Sequence, residues 1–467
     1  MNFSVYNTLT GEKAPFTPLQ PGKIAMYVCG ITVYDYCHIG HGRVMVCFDV
    51  ISRYLRARGW DLTYVRNITD IDDKILKRAA ENNESIEQLT ERFISAMIED
   101  ETQLGVLRPD LEPRATHHIG DIIALIETLI ASDYAYAASN GDVYYRVAKF
   151  ANYGKLTNKN PEDLLAGARI AVDEAKEDPR DFVLWKAAKT GETCWPSPWG
   201  DGRPGWHIEC SAMSKACLGT TLDIHGGGPD LPFPHHENEI AQSEAANQCT
   251  YANFWMHAGA VRIDGEKMSK SLGNFFTIRE VIKSYHPEIV RFLLISSHYR
   301  SPINYAEDSL KEARAGLERF YKTLRDFTHV PAQTWEDAIT TPAGERFIEA
   351  MDDDFNTRVA LAALYDLARE INTVPVKIKA TAEPMVATLK ALASVLGLLG
   401  EDPDRFLQSG AQHLDTALIE QLISERQQAR LDKNYARCDA IRDELLAMGV
   451  ILEDSKQGTS WRIHTEG

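Results

Sequence analysis

Apolar residues follow two rhythms along this chain. From Ile24 to Cys29 they run almost unbroken and stop at Gly30, which predicts a buried strand. From Gly42 to Arg58, Val44, Cys47, Phe48, Ile51 and Leu55 return at the three- and four-residue steps of a helix. Residues 61–68, with Leu62, Tyr64 and Val65, read as strand again, so the order predicts a βαβ unit of a parallel sheet. Residues 85–130 predict helices, and 134–200 break into short strands and loops around the Asn140-Gly141 turn, as an insertion would. Leu222 to His225 predicts another buried strand, followed by three glycines and a helix over 236–247. Beyond residue 310 long amphipathic helices continue to Leu399. Two further helices (416–431 and 435–448) and two short strands (449–453 and 459–464) complete a small mixed α/β region.

Length and composition narrow the class. At 467 residues, about three domains are expected, with enough chain to bury a core without disulfides. The chain is 44% hydrophobic and 25% charged, an ordinary globular balance, and no run approaches a membrane span. Its first residues lack the basic-then-apolar pattern of a signal peptide, so a cytoplasmic location without membrane contact is expected. A net charge of −17 argues against a general polyanion-coating protein, while local basic patches still permit a nucleic-acid partner. Eight cysteines are too few for a disulfide scaffold, so grouped ones point to metal or catalysis.

Three constellations carry chemistry. His38-Ile39-Gly40-His41-Gly42 lies in the first strand-to-helix connection, where a helix start favours an anion, Gly40 admits a flat ring and two imidazoles can donate to phosphate oxygens. Glu266-Lys267-Met268-Ser269-Lys270-Ser271 follows an apolar strand, and its paired lysines suit a loop that closes on polyphosphate. Taken singly, each also reads as a polar turn or a solvated basic loop. Together they form the paired signature that class I aminoacyl-tRNA synthetases resemble. The third constellation is Cys29, Cys210, His235 and Glu239, of which the last two are four apart and share a helix face. Two sulfurs, an imidazole and a carboxylate suit Zn²⁺, though Cys37, Cys194 and His236 compete as ligands. Cys47, Cys217, Cys249 and Cys438 read as buried small apolar residues.

The chain resembles bacterial cysteinyl-tRNA synthetases along essentially its whole length. The stretches that carry the likeness are Tyr27 to Asp35, Arg66-Asn-Ile-Thr-Asp-Ile-Asp-Asp-Lys, Arg203 to Ser211, Asp223 to Glu239, the lysine loop, Met351 to Thr357 and Gly458-Thr-Ser-Trp-Arg. Ile463 departs from the pattern, where a basic residue is expected. The resemblance implies a Rossmann-like parallel-sheet catalytic domain with an insertion, then an α-helical bundle and a small mixed α/β C-terminal domain. It divides the chain into 1–120 and 201–255 (the catalytic halves), 121–200 (the connective insertion), 256–311 (the stem-contact region), 312–400 (the bundle) and 401–467 (anticodon recognition).

What the resemblance implies chemically is cysteinyl-adenylate formation from L-cysteine and Mg-ATP, then transfer to the 3′ end of tRNA(Cys). His38, His41, Lys267 and Lys270 would be catalytic, with Gly40 and Ser269 also at ATP. Zinc would sit on Cys29, Cys210, His235 and Glu239, one ion per chain, and select the thiol over the hydroxyl of serine. Cys29, Gly30, Thr32, Thr69 and Trp206 would meet the amino acid, with Asp70 beside its backbone, and Arg426, Arg430, Trp461 and Arg462 would meet tRNA. The charges around Lys433 and Arg437 are interleaved with acids and read equally well as a solvated helix surface. A monomer is expected. Two rival readings are a zinc-dependent cysteine ligase with an amino-sugar acceptor and a non-catalytic tRNA-binding protein.

Overall fold

In this computed structural model, residues 3–157, 175–263, 266–267, 276–409, 415–455 and 458–463 are described. The chain forms two compact units: Met1–Ala260 with Tyr299–Pro302 and Asp352–Phe355, and Val261–His298 with Ile303–Met351 and Asn356–Gly467.

The first unit is organised by four parallel strands: β1 (Lys23–Thr32), β2 (Asp61–Thr69), β3 (Leu222–Gly227) and β4 (Ala252–His257). They lie in the order β4-β3-β1-β2. Helix α1 (Ile39–Ala57) connects β1 to β2, the expected βαβ crossover. Buried on both faces, such strands read as near-continuous apolar runs, which is why Ile24–Cys29 and Leu222–Ile224 are legible in the sequence.

The insertion is an antiparallel sheet of Ala135–Ala137, Val143–Tyr145, Phe182–Ala187 and Gly202–Pro204. Its last strand leads directly into helix α2 (Trp206–Leu218), which the hydrophobic pattern does not predict. The reason is burial on two sides. Ile208 and Ala212 pack into the insertion core with Trp185 and Leu129, while Cys210 and Met213 face the core that holds Tyr27, Val65 and Trp255. A helix with two covered faces has no single apolar stripe to detect. Helix α3 (Glu237–Asn247) joins β3 to β4 and is likewise almost wholly buried.

In the second unit, helices Glu307–Leu324, Thr357–Thr373 and Glu383–Val395 follow the expected amphipathic pattern. The terminal helices Thr416–Leu431 and Tyr435–Ala447 precede the antiparallel pair Val450–Ser455 and Gly458–Ile463. Their core gathers Ile419, Ile423, Ile441, Leu445, Val450 and Trp461. No helix among the described residues is long and apolar enough to cross a membrane.

Candidate active site and metal centre

Residue Cys29 owes its position to an irregularity in β1. Val28 pairs with Arg66 and Ile31 with Ile68, so one extra residue stands on β1 between them. Such a bulge bends the strand and re-aims a side chain. Gly30 makes it possible: a Cβ there would lie 1.7 Å from the Asn67 carbonyl oxygen. The Gly30 N–H donates to Asn67 Oδ1 at 2.8 Å, which fixes the bulge against β2.

The bulge delivers Cys29 to Glu239 in the first turn of α3, where its Sγ donates to Oε1 at 3.2 Å. His235, one turn earlier, places Nε2 3.1 Å from the same oxygen. Cys210 arrives on α2, and ligand atoms of Cys29, Cys210, His235 and Glu239 all lie within 4.8 Å of one another, buried. Three chain-distant segments thus converge on one point.

Their ionisation fits a cation. Burial opposes the charge of Glu239, but His225 and His235 outweigh it and hold the carboxyl well below its ordinary range. Burial also opposes a charged His235, yet Glu239 and Cys210 raise it to about 10. The hydrogen bond from Cys29 lowers Cys210 to about 6, while burial and then Cys210 push the Cys29 thiol up. Acceptor-rich ligands are therefore gathered around shared protons, the arrangement in which a divalent ion displaces protons and takes over the charge. The donor set and spacing suit tetrahedral Zn²⁺ with sulfur ligands at about 2.3 Å.

A second foursome, Cys29, His225, His236 and Glu239, satisfies the same spacing. Its histidines are engaged otherwise. His225 Nε2 donates to Glu239 Oε2 at 2.9 Å and its ring stacks on Trp255. His236 Nδ1 lies 2.8 Å from His257 Nε2, and His257 Nδ1 lies 2.9 Å from Thr8 Oγ1. These two surround the cluster, and only Cys29, Cys210, His235 and Glu239 combine both sulfurs. Sequence reasoning did not find His207, His225, Tyr251 or Asn67. The doublet His235-His236 beside a glycine run was the available signal for a histidine-rich pocket.

Thr32 and Thr69 pair across β1 and β2. The Thr69 hydroxyl donates to Glu209 Oε2 at 3.2 Å, and burial followed by the charge of Cys210 raises the Glu209 carboxyl. Trp206, 37% exposed, stacks on His235 with centroids 4.2 Å apart. Gly30 through Asn67, Thr69 through Glu209 and Trp206 through its stack on His235 thus adjoin the cluster. Asp70 instead accepts from the Thr116 N–H and hydroxyl at 2.9 and 2.6 Å, which ties down a neighbouring turn.

His38 and His41 cap α1. His38 Nδ1 accepts from the Gly40 and His41 N–H groups at 3.1 and 3.3 Å, while His41 Nδ1 accepts from the His38 N–H at 3.3 Å. The rings stack 3.6 Å apart. Two of the helix-start amides expected to meet an anion are thus taken by a ring. A neutral imidazole that accepts at Nδ1 bears its proton on Nε2, so each ring is set as an Nε2–H donor. Both stand after the C-terminal end of β1, where parallel α/β sheets hold nucleotides.

In the second unit, Lys267 pairs through its backbone with Arg262, whereas Ser269 and Lys270 lie outside the described residues. Near the C-terminus, Arg426 makes two 2.8 Å bonds to Asp454, and Arg462 is held by Glu453 at 2.7 Å. Arg430 stays 63% exposed, 3.5 Å from Asp454. Trp461, expected at an RNA surface, is 2% exposed and its indole N–H donates to Glu420. It belongs to the core, with no face left for a base.

The fold recurs in solved synthetases. The chain resembles Mycobacterium tuberculosis methionyl-tRNA synthetase bound by methionyl-adenylate in fold, with TM-score 0.59 at 13% identity over 82% of this chain and 93% of that one. The ternary complex of Agrobacterium radiobacter K84 LeuRS with tRNA gives TM-score 0.57 at 12% identity, covering 84% and 85%. Residues 15–315 match the tRNA synthetases class I (C) catalytic domain, 346–400 the DALR domain and 416–462 the cysteinyl-tRNA ligase anticodon binding domain. The chain thus has the class I aminoacyl-tRNA synthetase fold. It is 63% identical to the cysteine–tRNA ligase of Chromohalobacter salexigens, over 98% of both chains. To that of Stutzerimonas stutzeri it is 62% identical, over 99% of this chain and all of the other. The chain belongs to the cysteinyl-tRNA ligase family.

Proposed function

We propose that this enzyme joins L-cysteine to tRNA(Cys) in two steps at the C-terminal ends of β1 and β2, and that the cluster of Cys29, Cys210, His235 and Glu239 selects the amino acid. In the first step a carboxylate oxygen of cysteine attacks the α-phosphorus of Mg-ATP and pyrophosphate leaves. In the second, a hydroxyl of the terminal adenosine attacks the carbonyl carbon and AMP leaves. Neither step uses a protein nucleophile, so catalysis is positioning and charge stabilisation.

The Nε2–H groups of His38 and His41 donate to phosphate oxygens as charge spreads over them. Gly40 admits the adenine ring, and Lys267, Ser269 and Lys270 are the residues assigned to the phosphates of ATP. Gly30, Thr32 and Thr69 meet the amino-acid backbone, and Trp206 walls the pocket over His235. A zinc ion on the four ligands supplies affinity for a thiolate that the hydroxyl of serine cannot match. Arg430 is the arginine best exposed for tRNA, whereas Arg426 and Arg462 shape the surface through Asp454 and Glu453, and Trp461 supports it from the core. The division into catalytic halves, insertion, stem-contact region, bundle and anticodon region belongs to the same proposal.

The observation that carries this reading is the convergence of two sulfurs, an imidazole and a carboxylate at the strand that precedes the His38–His41 cap, in a chain whose residues 416–462 match an anticodon-binding domain. ATP–pyrophosphate exchange with cysteine, serine or no amino acid, before and after zinc removal, tests it. Exchange is expected only with cysteine and zinc. Equal exchange with serine, or full exchange without metal, would overturn the selection.

A further inference from the structure

We propose that Tyr251 and His225 are positioning residues that hold Glu239 as a one-oxygen ligand and so keep a coordination place open for the sulfur of the amino acid. This rests on the reading of the cluster as the zinc site.

The two oxygens of Glu239 are used differently. Oε1 faces Cys29 and His235 at 3.2 and 3.1 Å. Oε2 takes two donors, His225 Nε2 and the Tyr251 hydroxyl, each at 2.9 Å. An ionised carboxylate only accepts, so the single Tyr251 proton points to Oε2. The neighbouring Ser214 hydroxyl, 2.7 Å from the Tyr251 oxygen, must then donate to it, giving a chain Ser214 to Tyr251 to Glu239. All four groups are buried. His225 is clamped by the 4.5 Å stack on Trp255, and Tyr251 lies edge-on to His225.

A carboxylate free to rotate can offer a metal both oxygens. Here Oε2 already accepts from two buried donors, and a metal bound there would take an acceptor position from one of them. The protein therefore fixes both the ligand and its denticity. A zinc ion held by Cys29, Cys210, His235 and Oε1 of Glu239 would then keep a place for substrate sulfur for which Oε2 does not compete. Neither Tyr251 nor His225 touches the amino acid in this account, since each acts through Glu239.

The test uses full-length enzyme loaded with Co²⁺, whose visible absorption reports coordination number, together with Tyr251→Phe. In wild type, cysteine is expected to lower the visible absorptivity as a fifth ligand enters. In Tyr251→Phe the metal remains at one per chain, the absorptivity is already low without cysteine, and cysteine shifts it little. The KM for cysteine in exchange should rise about tenfold while kcat changes far less, the low end of what loss of an outer partner of a ligand costs. His225→Gln, whose amide can still donate, should keep most of the wild-type spectrum, whereas His225→Leu, which cannot donate, should change it as Tyr251→Phe does and serves if the phenylalanine variant folds poorly. A Tyr251→Phe spectrum and KM matching wild type would overturn the proposal. Wild type that binds no metal would instead overturn the zinc reading itself.

Discussion

The cluster around Glu239 and the surface of residues 416–463 are both rich in ionisable side chains, yet they are built on opposite terms. Around Glu239 the hydrogen-bonding side chains of Cys29, His225, His235 and Tyr251 are buried, and both carboxylate oxygens have named partners. On the C-terminal surface Asp454 collects Arg426, Arg430 and Thr459 while remaining 37% exposed, and Arg437 pairs with Glu425 at the surface. Water can substitute for any of these partners. In the first region an unpartnered group costs its full desolvation penalty, whereas in the second a lost pair costs little. A buried polar constellation is thus informative about chemistry in a way that a surface charge pattern is not.

The contrast can be broken most forcefully at the cluster. Cys210→Ser and His235→Ala should each empty the metal site and slow exchange by about a thousandfold, the scale of a metal's several kcal/mol contribution. Metal analysis alongside exchange would reveal whether occupancy and rate fall together, and full activity in a metal-free variant would refute the assignment. Lys270→Ala should slow adenylate formation by about a hundredfold, as loss of one charge-stabilising donor does, with free-cysteine binding nearly intact. Single-turnover adenylate formation beside equilibrium binding separates those two effects.

Smaller effects belong to the C-terminal region. Trp461→Ala should destabilise the domain by about 3–5 kcal/mol through a cavity, and charging of tRNA should fall while exchange stays near wild type. Denaturation followed by circular dichroism, with both activity assays, checks it. Asp454→Asn should cost less than about 1 kcal/mol at neutral pH because the site is open to solvent. The Arg426 hydrogen bonds hold the Asp454 carboxyl below its ordinary range. Its contribution is therefore complete above the unfolded carboxyl pKa of about 4 and disappears as pH falls toward the lower folded value. The stability gap between wild type and Asp454→Asn should stay constant above about pH 5 and shrink as the pH falls below about 4, and a gap that widens on acidification would contradict the pairing.

The sequence by itself determined the parallel sheet, the insertion, the helical bundle and the small final domain, because burial leaves its period in the chain. It also determined the three chemical motifs, since residue types at fixed short spacing are visible without coordinates. Other features needed the third dimension. The bulge that turns Cys29 inward depends on β1 pairing with β2 around Gly30, which no local pattern encodes. Helix α2 leaves no apolar stripe in the sequence because neighbours on two sides cover it. Trp461 reads as a stacking aromatic in sequence and becomes core only through the packing of two helices on a hairpin. The partners of Glu239 lie on β1, on β3, in the turn before α3 and just before β4, and only the fold brings them to one carboxylate. Spacing along the chain records what is local. Which oxygen meets which donor is a property of packing between distant segments, and tertiary structure alone decides it.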